Sequence, residues 1–440
     1  MSNKMKTKGL NEDSQAALVP KLRFPEFRGA EPWRLISLRE ASTPVAERIG
    51  ERKLIPVSIS AGIGFVPQAE KFGRDISGNQ YQFYTLVRDG DFVYNKGNSL
   101  KFPEGCVYLL QGWGQVAAPN VFICFRLKDG FLNGFFQNCF ESNAHGKQLK
   151  KHITSGARSN GLLNISKEAF FGVAISTPTS AEQQKIADCL SSLDELIAAQ
   201  ARKVDALKTH KKGLMQQLFP REGETQPRLR FPEFRDAGEW EGGLISDLAT
   251  TVMGNAFRST DFVESGTQVV RIGNLYQGEL QLDRAPVCLS NTQAEENSKF
   301  GVHPLDLLMS MTGTVGKRDY GFVIQVPPDC KPLLLNQRVM KLAPTVKCDP
   351  GFLLQLLKSD RLLDSIYSVP GGTKQANLSA QHIKDLSIFY PPKSEQQRIA
   401  LCLSRLDTLI TAATQELETL KTHKKGLMQQ LFPTAEAAEA

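Results

Sequence analysis

The side chains in this sequence that could do chemistry cluster in short polar loops that contain glycine. The first half of the chain has two such loops, Tyr94–Lys101 and Lys147–Asn160, and the second half has Ser310–Arg318 and Gly371–Asn377. Lysine, arginine, asparagine, glutamine, serine and threonine beside glycine are the residue types that hold phosphates and contact base edges. These loops are therefore candidate DNA contacts, and the alternative is that they are ordinary solvated turns.

The residue types within these loops single out the individual contacts. In the first half the predicted DNA-binding residues are Asn95, Lys96, Asn98, Ser99, Lys101, Lys151, Arg158 and Ser159. In the second half they are Thr312, Thr314, Lys317, Arg318, Thr373, Lys374, Gln375 and Asn377. Residues 31–180 contain 17 Lys and Arg against 12 Asp and Glu, whereas residues 240–393 contain 15 of each. DNA binding by the second region must therefore depend on local arrangement rather than on bulk charge.

Sequence motifs of the common catalytic classes do not match this chain. Gly313–Arg318 resembles the end of a phosphate-binding loop, but Met311 stands where the first glycine belongs. The six histidines lack the spacing of a zinc site, and neither a Gly-x-Ser-x-Gly elbow nor the Asn/Asp-Pro-Pro-Tyr/Phe tetrapeptide of amino-methyltransferases occurs. Pro328–Lys331 is only faintly similar to a nuclease core. We therefore predict a binding protein with no catalytic residue and no metal site.

Length and composition agree with a globular protein of two or three domains. The chain has 440 residues, of which 41% are hydrophobic and 22% charged, and its net charge of +7 permits an acidic partner such as DNA. No apolar run of about 18 residues is present, so we expect no membrane span. The N-terminus is polar, and the eight cysteines form no Cys-x-x-Cys pair. We expect reduced cysteines and a cytoplasmic location.

The sequence contains a long internal repeat. Lys208–Pro220 recurs letter for letter as Lys421–Pro433, 213 residues later. A second motif, Leu-Arg-Phe-Pro-Glu-Phe-Arg followed by Trp, occupies residues 22–33 and again 229–240. A period above 200 residues is too long for a solenoid unit and indicates a duplicated domain. Because residues 41–150 and 250–355 have little similarity, a constant frame joins two divergent globular regions.

Each repeat ends in a segment with the periodicity of a long helix. Apolar residues follow a 3.5-residue spacing that is interrupted at Gln200 and Lys211 in the first copy and at Lys424 in the second. This spacing is typical of a coiled coil, and we predict two helices of roughly 38 residues, about 57 Å long. The start of each segment has the spacing of a capping box, as Ser180 with Gln183 and as Ser394 with Gln397.

The surroundings of these helices have two interpretations. Each helix could pack on its own globular region, or the two helices could pair with each other along one apolar seam. The identical ends would then face two copies of one partner, through apolar residues suited to docking. The predicted partner-binding residues are Leu214, Met215, Leu218, Phe219, Leu427, Met428, Leu431 and Phe432. The tandem lysines beside them could instead form a solvated face.

The globular regions have the pattern of mixed α/β structure. Short apolar runs broken by Gly, Pro, Asn and Asp predict strands at residues 91–94, 106–110 and 121–125, and at 269–272, 306–309 and 322–324. A leucine-rich stretch at residues 351–367 predicts a helix. Asn95 and Ser310 follow matching strands, so the candidate loops of the two regions occupy equivalent places.

The whole arrangement resembles the specificity (S) subunit of type I restriction-modification enzymes. The residues that carry the resemblance are the two Leu-Arg-Phe-Pro-Glu-Phe…Trp motifs, the Glu-Gln-Gln-x-Ile-Ala helix starts at 182 and 395, and the Gly-Leu-Met-Gln-Gln-Leu-Phe-Pro ends at 213 and 426. The Gly-Thr-x-Gln-x-Asn-Leu-Ser loop at 372–379 is also typical of the family. The resemblance covers about residues 20–433, although the first globular region matches the pattern less closely.

The resemblance implies an α+β architecture with two target-recognition domains, each of which reads half of a split DNA site. Two long helices would form an antiparallel coiled coil with pseudo-two-fold symmetry, set the gap between the half-sites and dock two modification (methyltransferase) subunits. Restriction subunits would join that core, with S-adenosylmethionine bound on the modification subunits and ATP and Mg on the restriction subunits. The expected boundaries are a tail at 1–20, recognition domains at 21–179 and 221–393, helices at 180–220 and 394–433, and a tail at 434–440.

Overall fold

A computed structural model describes residues 18–97, 102–153, 163–276, 278–369 and 375–433 of the chain. These residues form two compact units. Unit 1 contains the chain up to Gln200 together with the chain from Glu416 onward, and unit 2 contains Ala201–Gln415. Each unit therefore consists of one globular region, the first part of one long helix and the last part of the other.

Two four-stranded sheets and a two-stranded ladder form the globular region of unit 1. The sheets have the strand orders β2-β9-β6-β7 and β4-β3-β8-β5, and β1 pairs with β10. The strands are β1 (Arg34–Ser37), β2 (Ser42–Pro44), β3 (Ile55–Ser60), β4 (Gly64–Pro67), β5 (Thr85–Arg88), β6 (Asp91–Asn95), β7 (Cys106–Leu109), β8 (Gln115–Ala118), β9 (Ile123–Leu127) and β10 (Ala174–Thr177). The helices are α1 (Leu38–Ala41), α2 (Gln68–Phe72), α3 (Asn133–Glu141), α4 (Ala144–Leu149), α5 (Lys167–Phe171) and the long α6 (Ser180–Leu218).

Unit 2 has the corresponding sheets in its globular region. Their orders are β12-β22-β18-β20 and β16-β13-β21-β17, and three two-stranded ladders pair β11 with β24, β14 with β15 and β19 with β23. The strands are β11 (Glu241–Leu244), β12 (Ala249–Met253), β13 (Thr267–Val270), β14 (Leu275–Tyr276), β15 (Glu279–Leu280), β16 (Cys288–Leu289), β17 (Gly301–Val302), β18 (Leu307–Ser310), β19 (Thr312–Thr314), β20 (Val323–Gln325), β21 (Leu333–Leu335), β22 (Val339–Pro344), β23 (Gln375–Asn377) and β24 (Ser387–Tyr390). The helices are α7 (Ile245–Leu248), α8 (Asn291–Glu296), α9 (Pro350–Leu357), α10 (Asp360–Ser368), α11 (Ala380–Lys384) and the long α12 (Lys393–Leu431).

The two globular regions have the same sheet topology despite their dissimilar sequences. In unit 1 the single parallel pairing among the named strands joins β3 to β8, and in unit 2 it joins β13 to β21. Each parallel pair is flanked by antiparallel neighbours at equivalent positions. The matching central strands β6 and β18 end at Asn95 and Ser310, which confirms the predicted correspondence of the two loops.

Neighbouring residues of each central strand pack into two different hydrophobic cores. In β6, Phe92 and Tyr94 enter the core that contains α3 and α5, whereas Val93 enters a second core between the sheets. In β18, Leu307 and Leu308 likewise enter different cores. Side chains of a strand point alternately to opposite faces, so a strand buried on both faces must be apolar throughout. This requirement produces the short uninterrupted apolar runs in the sequence.

The long helices begin and end close to the predicted positions, but their N-terminal caps differ from the prediction. Ser180 is not a cap residue, since its hydroxyl donates to the carbonyl of Gly130 at 3.0 Å. Thr179 accepts the Glu182 N–H instead, and α12 begins with the Glu395 N–H donating to the Pro392 carbonyl. The predicted capping boxes are therefore wrong, because polar side chains of the first turn contact the globular region instead.

One further element departs from the prediction. The helix expected over residues 351–367 is two helices, α9 and α10, separated at Lys358 and Ser359. The hydroxyl of Ser359 donates to the Leu356 carbonyl at 2.6 Å, so it satisfies a backbone group that a continuous helix would use. Among the described residues, every helix is too short or too polar to cross a lipid bilayer.

Candidate nucleic-acid interface and helix contacts

A buried carboxylate at the start of each long helix holds the repeated arginine–tryptophan motif. In unit 1, Arg23 donates two hydrogen bonds to Glu182, at 2.8 and 2.7 Å, and the Trp33 indole donates a third at 3.2 Å. Glu182 is 1% exposed. The guanidinium of Arg23, rather than water, therefore balances the charge of this carboxylate. Hydrogen bonding to Glu182 raises the pKa of Arg23.

Unit 2 repeats this arrangement at the corresponding residues. Arg230 donates to Glu395 at 2.9 and 2.6 Å, and the Trp240 indole donates to the same carboxylate at 3.4 Å. The next residue, Gln396, accepts from the Asp349 N–H and donates to the carbonyl of Pro391. Gln183 makes the matching bonds to Leu132 and Pro178 in unit 1. The Glu-Gln motif thus fixes each helix start to a globular region.

The start of one long helix packs antiparallel to the end of the other within each unit. In unit 1, Leu431 shares a core with Ile186 and Leu190, and Lys424 pairs with Asp194 at 2.7 Å. Nearer the middle of the helices, Gln200 donates to Glu416 at 2.8 Å. The partner numbers fall as the numbers along α6 rise, so the two segments run in opposite directions. The predicted helix pairing is confirmed.

Polar residues that interrupt the apolar spacing make specific pairs in this seam. In unit 2, Lys211 pairs with Asp407 at 2.6 Å, which is the equivalent of the Lys424–Asp194 pair. Both lysine side chains are 13% exposed. A polar pair at a core position favours one register and one orientation over others, because any slip would leave a half-buried charge without its partner.

The predicted partner-binding residues lie against the globular regions of this chain. Leu218 and Phe219 are buried in the core of unit 2, with Leu214 and Met215 packed against it. Leu431 is buried in the core of unit 1, with Leu427, Met428 and Phe432 packed against it. The fully buried members have no surface left to offer, and contact of the half-buried members with a partner stays a prediction.

The candidate loops of unit 2 come together in one short ladder. β19 and β23 pair with Thr312 opposite Asn377 and Thr314 opposite Gln375. Ala376 between them points inward, so Gln375 and Asn377 are exposed on the other face. At Gly313 a Cβ atom would lie 2.4 Å from the Asp319 carboxylate, which explains the glycine at this position.

Beyond this ladder the chain turns back toward α10. Lys317 is exposed, and Arg318 pairs with Asp364 at 2.6 Å and lies over the Tyr367 ring. Lys317 is therefore more available to an anion than Arg318, whose charge already has a partner.

In unit 1 two of the candidate residues, Asn95 and Lys96, make hydrogen bonds to backbone groups that fix their own loop. The Asn95 amide donates to the Ile59 carbonyl and accepts from the Gly97 N–H, at 3.2 and 2.8 Å. Lys96 donates to the Ile165 carbonyl at 2.9 Å, and Lys151 is exposed. Five other predictions in this unit, Asn98, Ser99, Lys101, Arg158 and Ser159, lie outside the described residues, as do Thr373 and Lys374 of unit 2. DNA contact by any of these residues stays a prediction.

A cleft of about 460 Å³ in unit 2 was not expected from the sequence. Arg271, Arg284 and Arg338 line it together with Asn336 and Gln337. The signal that could have found it is the polar Asn-Gln-Arg triplet at 336–338, which separates the two apolar strands β21 and β22.

Comparison with protein families agrees with the geometry. The family model described as the type I restriction modification DNA specificity domain matches this chain twice, over residues 89–209 and 237–422. The specificity subunit of the MjaVIII type I restriction enzyme of Methanocaldococcus jannaschii is 24% identical over 290 residues, which cover 65% of this chain and 67% of that protein. The MjaX specificity subunit of the same organism is 22% identical over 296 residues, 65% of this chain and 64% of that protein.

Solved structures show the same fold. The S subunit of a type I restriction-modification system from M. genitalium is 13% identical, with a TM-score of 0.57 over 94% of this chain and 99% of that one. A chain from a study of complex assembly and conformational transition in a type I system is 16% identical, with a TM-score of 0.52 over 91% of this chain and 96% of that one.

Proposed function

Because the chain belongs to the type I restriction-modification DNA specificity family, we propose that it is the DNA-recognition subunit of such a complex. Each globular region reads one half of a bipartite site. The observation that carries this proposal is that one sheet topology supports two sets of loops that differ in sequence, since readers that differ must bind half-sites that differ. The site is therefore asymmetric.

In this proposal the chain directs chemistry that its partners perform. Two modification subunits bind S-adenosylmethionine and methylate adenine, and restriction subunits that use ATP and Mg cleave DNA. The chain itself is non-catalytic. The family resemblance and the lack of a recognisable catalytic motif in the sequence support this division of roles.

Two equivalent clefts support the docking of two identical partners. In unit 2 a cleft of about 1080 Å³ is lined by Lys208, Lys212, Met215 and Gln216 of α6. In unit 1 a cleft of about 800 Å³ is lined by the matching residues Lys421, Lys425, Met428 and Gln429 of α12. One wall of each cleft is thus identical in sequence, whereas the other wall differs. A partner that recognises the identical wall would bind twice.

Charge reversal in these clefts tests the docking. Lys212→Glu should remove one modification subunit from the purified complex, and Lys212→Glu combined with Lys425→Glu should remove both. Both lysines are exposed, so the helices should persist. Native mass spectrometry counts the subunits. Retention of two subunits by the double variant would place docking elsewhere.

Mapping of methylated adenines in host DNA tests the function as a whole. A bipartite motif should be methylated when this gene is present and unmethylated after its deletion. The purified chain should bind duplex DNA with an affinity that falls steeply with salt, because phosphate contacts release counterions. It should transfer no methyl groups by itself.

The alternative function is a non-catalytic scaffold that binds only proteins. It predicts neither a motif that depends on this gene nor salt-sensitive DNA binding by the purified chain. Absence of both would favour the scaffold and overturn the proposal.

A further inference from the structure

We propose that the cleft lined by Arg271, Arg284 and Arg338 in unit 2 is a DNA-binding site, and that Arg338 is a residue that determines sequence specificity. This inference deepens the proposed function, since it adds residues to the surface that reads the second half-site. The ligand is duplex DNA, contacted by guanidinium groups at phosphates and at a base edge.

The charge of this cleft favours an anion. Three arginines line it, and the lining residues that the structure describes include no carboxylate side chain. The remaining polar lining comes from amides, including Asn336 and Gln337. Unit 2 has no bulk excess of positive charge in its globular region, so this concentration of guanidinium groups is a local feature.

The arginine-bearing segments are held by a buried amide. Asn274 is 2% exposed. Its side-chain oxygen accepts from the Arg271 N–H at 2.9 Å, and its nitrogen donates to the Arg284 carbonyl at 3.0 Å. The Arg271 guanidinium also donates to the carbonyl of Ala285. One buried side chain thus fixes two of the three arginines at the backbone, so binding would require little ordering of the chain.

Backbone hydrogen bonds also fix the turn at residues 336–338, which carries the third arginine, Arg338. Asn336 N–H donates to Val270, and Gln337 N–H donates to Asn255, at 3.0 and 2.9 Å. The Arg338 carbonyl accepts from the Met311 N–H at 2.9 Å, which joins the turn directly to the segment preceding β19. Gln337 and Arg338 are both exposed. A rigid turn with exposed Gln and Arg side chains, beside the β19–β23 ladder, suits contact with base edges.

Arginine is suited to this role because its planar guanidinium can donate two hydrogen bonds to the O6 and N7 atoms of one guanine. Arg271, which is half-buried and pinned, is suited to a phosphate. We therefore expect loss of Arg338 to relax the preference at one base pair, and loss of Arg271 to weaken binding at all sequences alike.

The cleft can also be blocked without removing an arginine. Gly273 lies in its wall, and a Cβ atom added there would meet no other atom within 4 Å. Gly273→Glu would place a negative charge in the cleft, and Gly273→Ala is the matched control. Lys331→Ala is a second control, since this exposed lysine lies beyond the opposite end of β21 from Asn336.

The experiment uses the full chain in complex with its modification subunit. Affinity is measured on duplexes that carry the mapped motif and every single-base variant of the second half-site. Gly273→Glu and Arg338→Ala should each weaken binding roughly ten- to hundredfold. Arg338→Ala should also lose discrimination at one position of the second half-site, and Arg338→Lys should regain affinity without regaining discrimination. Gly273→Ala and Lys331→Ala should match the wild type.

The outcomes separate this inference from the proposed function. If the wild-type complex reads a bipartite motif while Arg338→Ala and Gly273→Glu bind and methylate as it does, the cleft is not a DNA site. Equal losses for Lys331→Ala would reduce the effect to general charge and would also overturn the inference. A wild-type complex that reads no bipartite motif would instead overturn the proposed function.

Discussion

At the scale of single residues, two buried carboxylates explain why the same arginine and tryptophan recur in both copies of the repeated motif. Glu182 and Glu395 each accept hydrogen bonds from one arginine and one tryptophan of the repeated motif. These three residue types are identical in the two copies because removing any one would leave a buried polar group without its partner. The exposed Lys185–Glu26 pair beside Glu182 has no such constraint, and its equivalent in unit 2 uses arginine, Arg398, with Glu233.

Glu182→Gln should destabilise unit 1 by about 3–5 kcal/mol, since it removes the negative partner of a buried arginine. Hydrogen exchange resolves the two units and should show faster opening in unit 1 than in unit 2. Replacing the pair together, with Arg23→Met and Glu182→Leu, should recover part of the loss, because no charge is then left unpaired but the buried Trp33 indole N–H still lacks its acceptor. Glu26→Gln is the exposed control and should have little effect. A Glu182→Gln protein as stable as the control would show that the buried pair contributes nothing.

A second residue gives unit 1 a dependence on pH. His145 is 2% exposed and lies against the rings of Tyr94 and Phe140. Burial lowers its pKa to about 4. The unfolded chain therefore binds more protons than the folded chain between about pH 6.5 and pH 4, so stability is complete above this window and falls with pH through it.

The expected loss from His145 across this window is about 3 kcal/mol. His145→Phe, which keeps an aromatic ring against Tyr94 and Phe140, should remove this component from the pH dependence of unfolding. His152→Phe alters an exposed histidine and is the control. An unchanged pH profile in His145→Phe would mean that this histidine is already charged or already exposed in the folded protein.

At the scale of elements, each long helix is divided between the two units, and the two ion pairs of the seam lie at equivalent points. Asp194 with Lys424, and Lys211 with Asp407, bracket the middle of α6 and of α12. A deletion confined to the segments between these pairs would leave both pairs and both globular cores intact. Such a deletion changes helix length and little else.

Removing residues 198–204 together with 411–417 deletes one heptad from each helix. Seven helical residues span about 10.5 Å, so we expect the preferred gap between half-sites to shorten by roughly three base pairs. Methylation motifs in cells expressing the deletion give the gap directly. Deleting four residues from each helix instead should disturb the seam and abolish activity. An active heptad deletion that keeps the original gap would show that the helices do not set the spacing.

At the scale of the whole molecule, duplication means that one half of the chain contains equivalents of both members of the two seam ion pairs. Residues 1–225 include Asp194 and Lys211, the residues that pair with Lys424 and Asp407. In an antiparallel dimer of this half, Asp194 of each copy would meet Lys211 of the other. We expect the half to dimerise and, with the modification subunit, to methylate an inverted repeat of the first half-site.

Charge reversal makes this prediction specific. Asp194→Lys and Lys211→Asp should each prevent dimerisation of residues 1–225, because both seam pairs become like-charged. Mixed together, the two variants should form a heterodimer, since both pairs then join opposite charges, one in the original order and one in the reversed order. Sedimentation measures the association, and sequencing of methylated sites measures the motif. Dimers that form equally well in all three cases, or that never methylate a palindrome, would contradict the model.

Local patterns in the sequence were sufficient to predict the main features of the architecture. The duplication, the two long helices and the strands around Asp91, Cys106 and Leu307 could be predicted, because helical spacing, turn residues and short apolar runs are properties of neighbouring residues. The polar interruptions at Gln200, Lys211 and Lys424 were visible as well, although their partners were not. The family resemblance followed from motifs of the same local kind.

Only the tertiary structure decided which distant residues meet. Arg271 and Arg338 are 67 positions apart, and they share a cleft because β13 and β21 pair in parallel and end side by side. Gln183 has the spacing of a capping residue, but its side-chain amide bonds to the turn at Gly130–Leu132 instead. It accepts from the Leu132 N–H and donates to the Gly130 carbonyl. Leu218 and Leu431 were predicted to face a partner, but each is buried in its own unit. Such choices depend on long-range packing, which residue type and spacing along the chain do not specify.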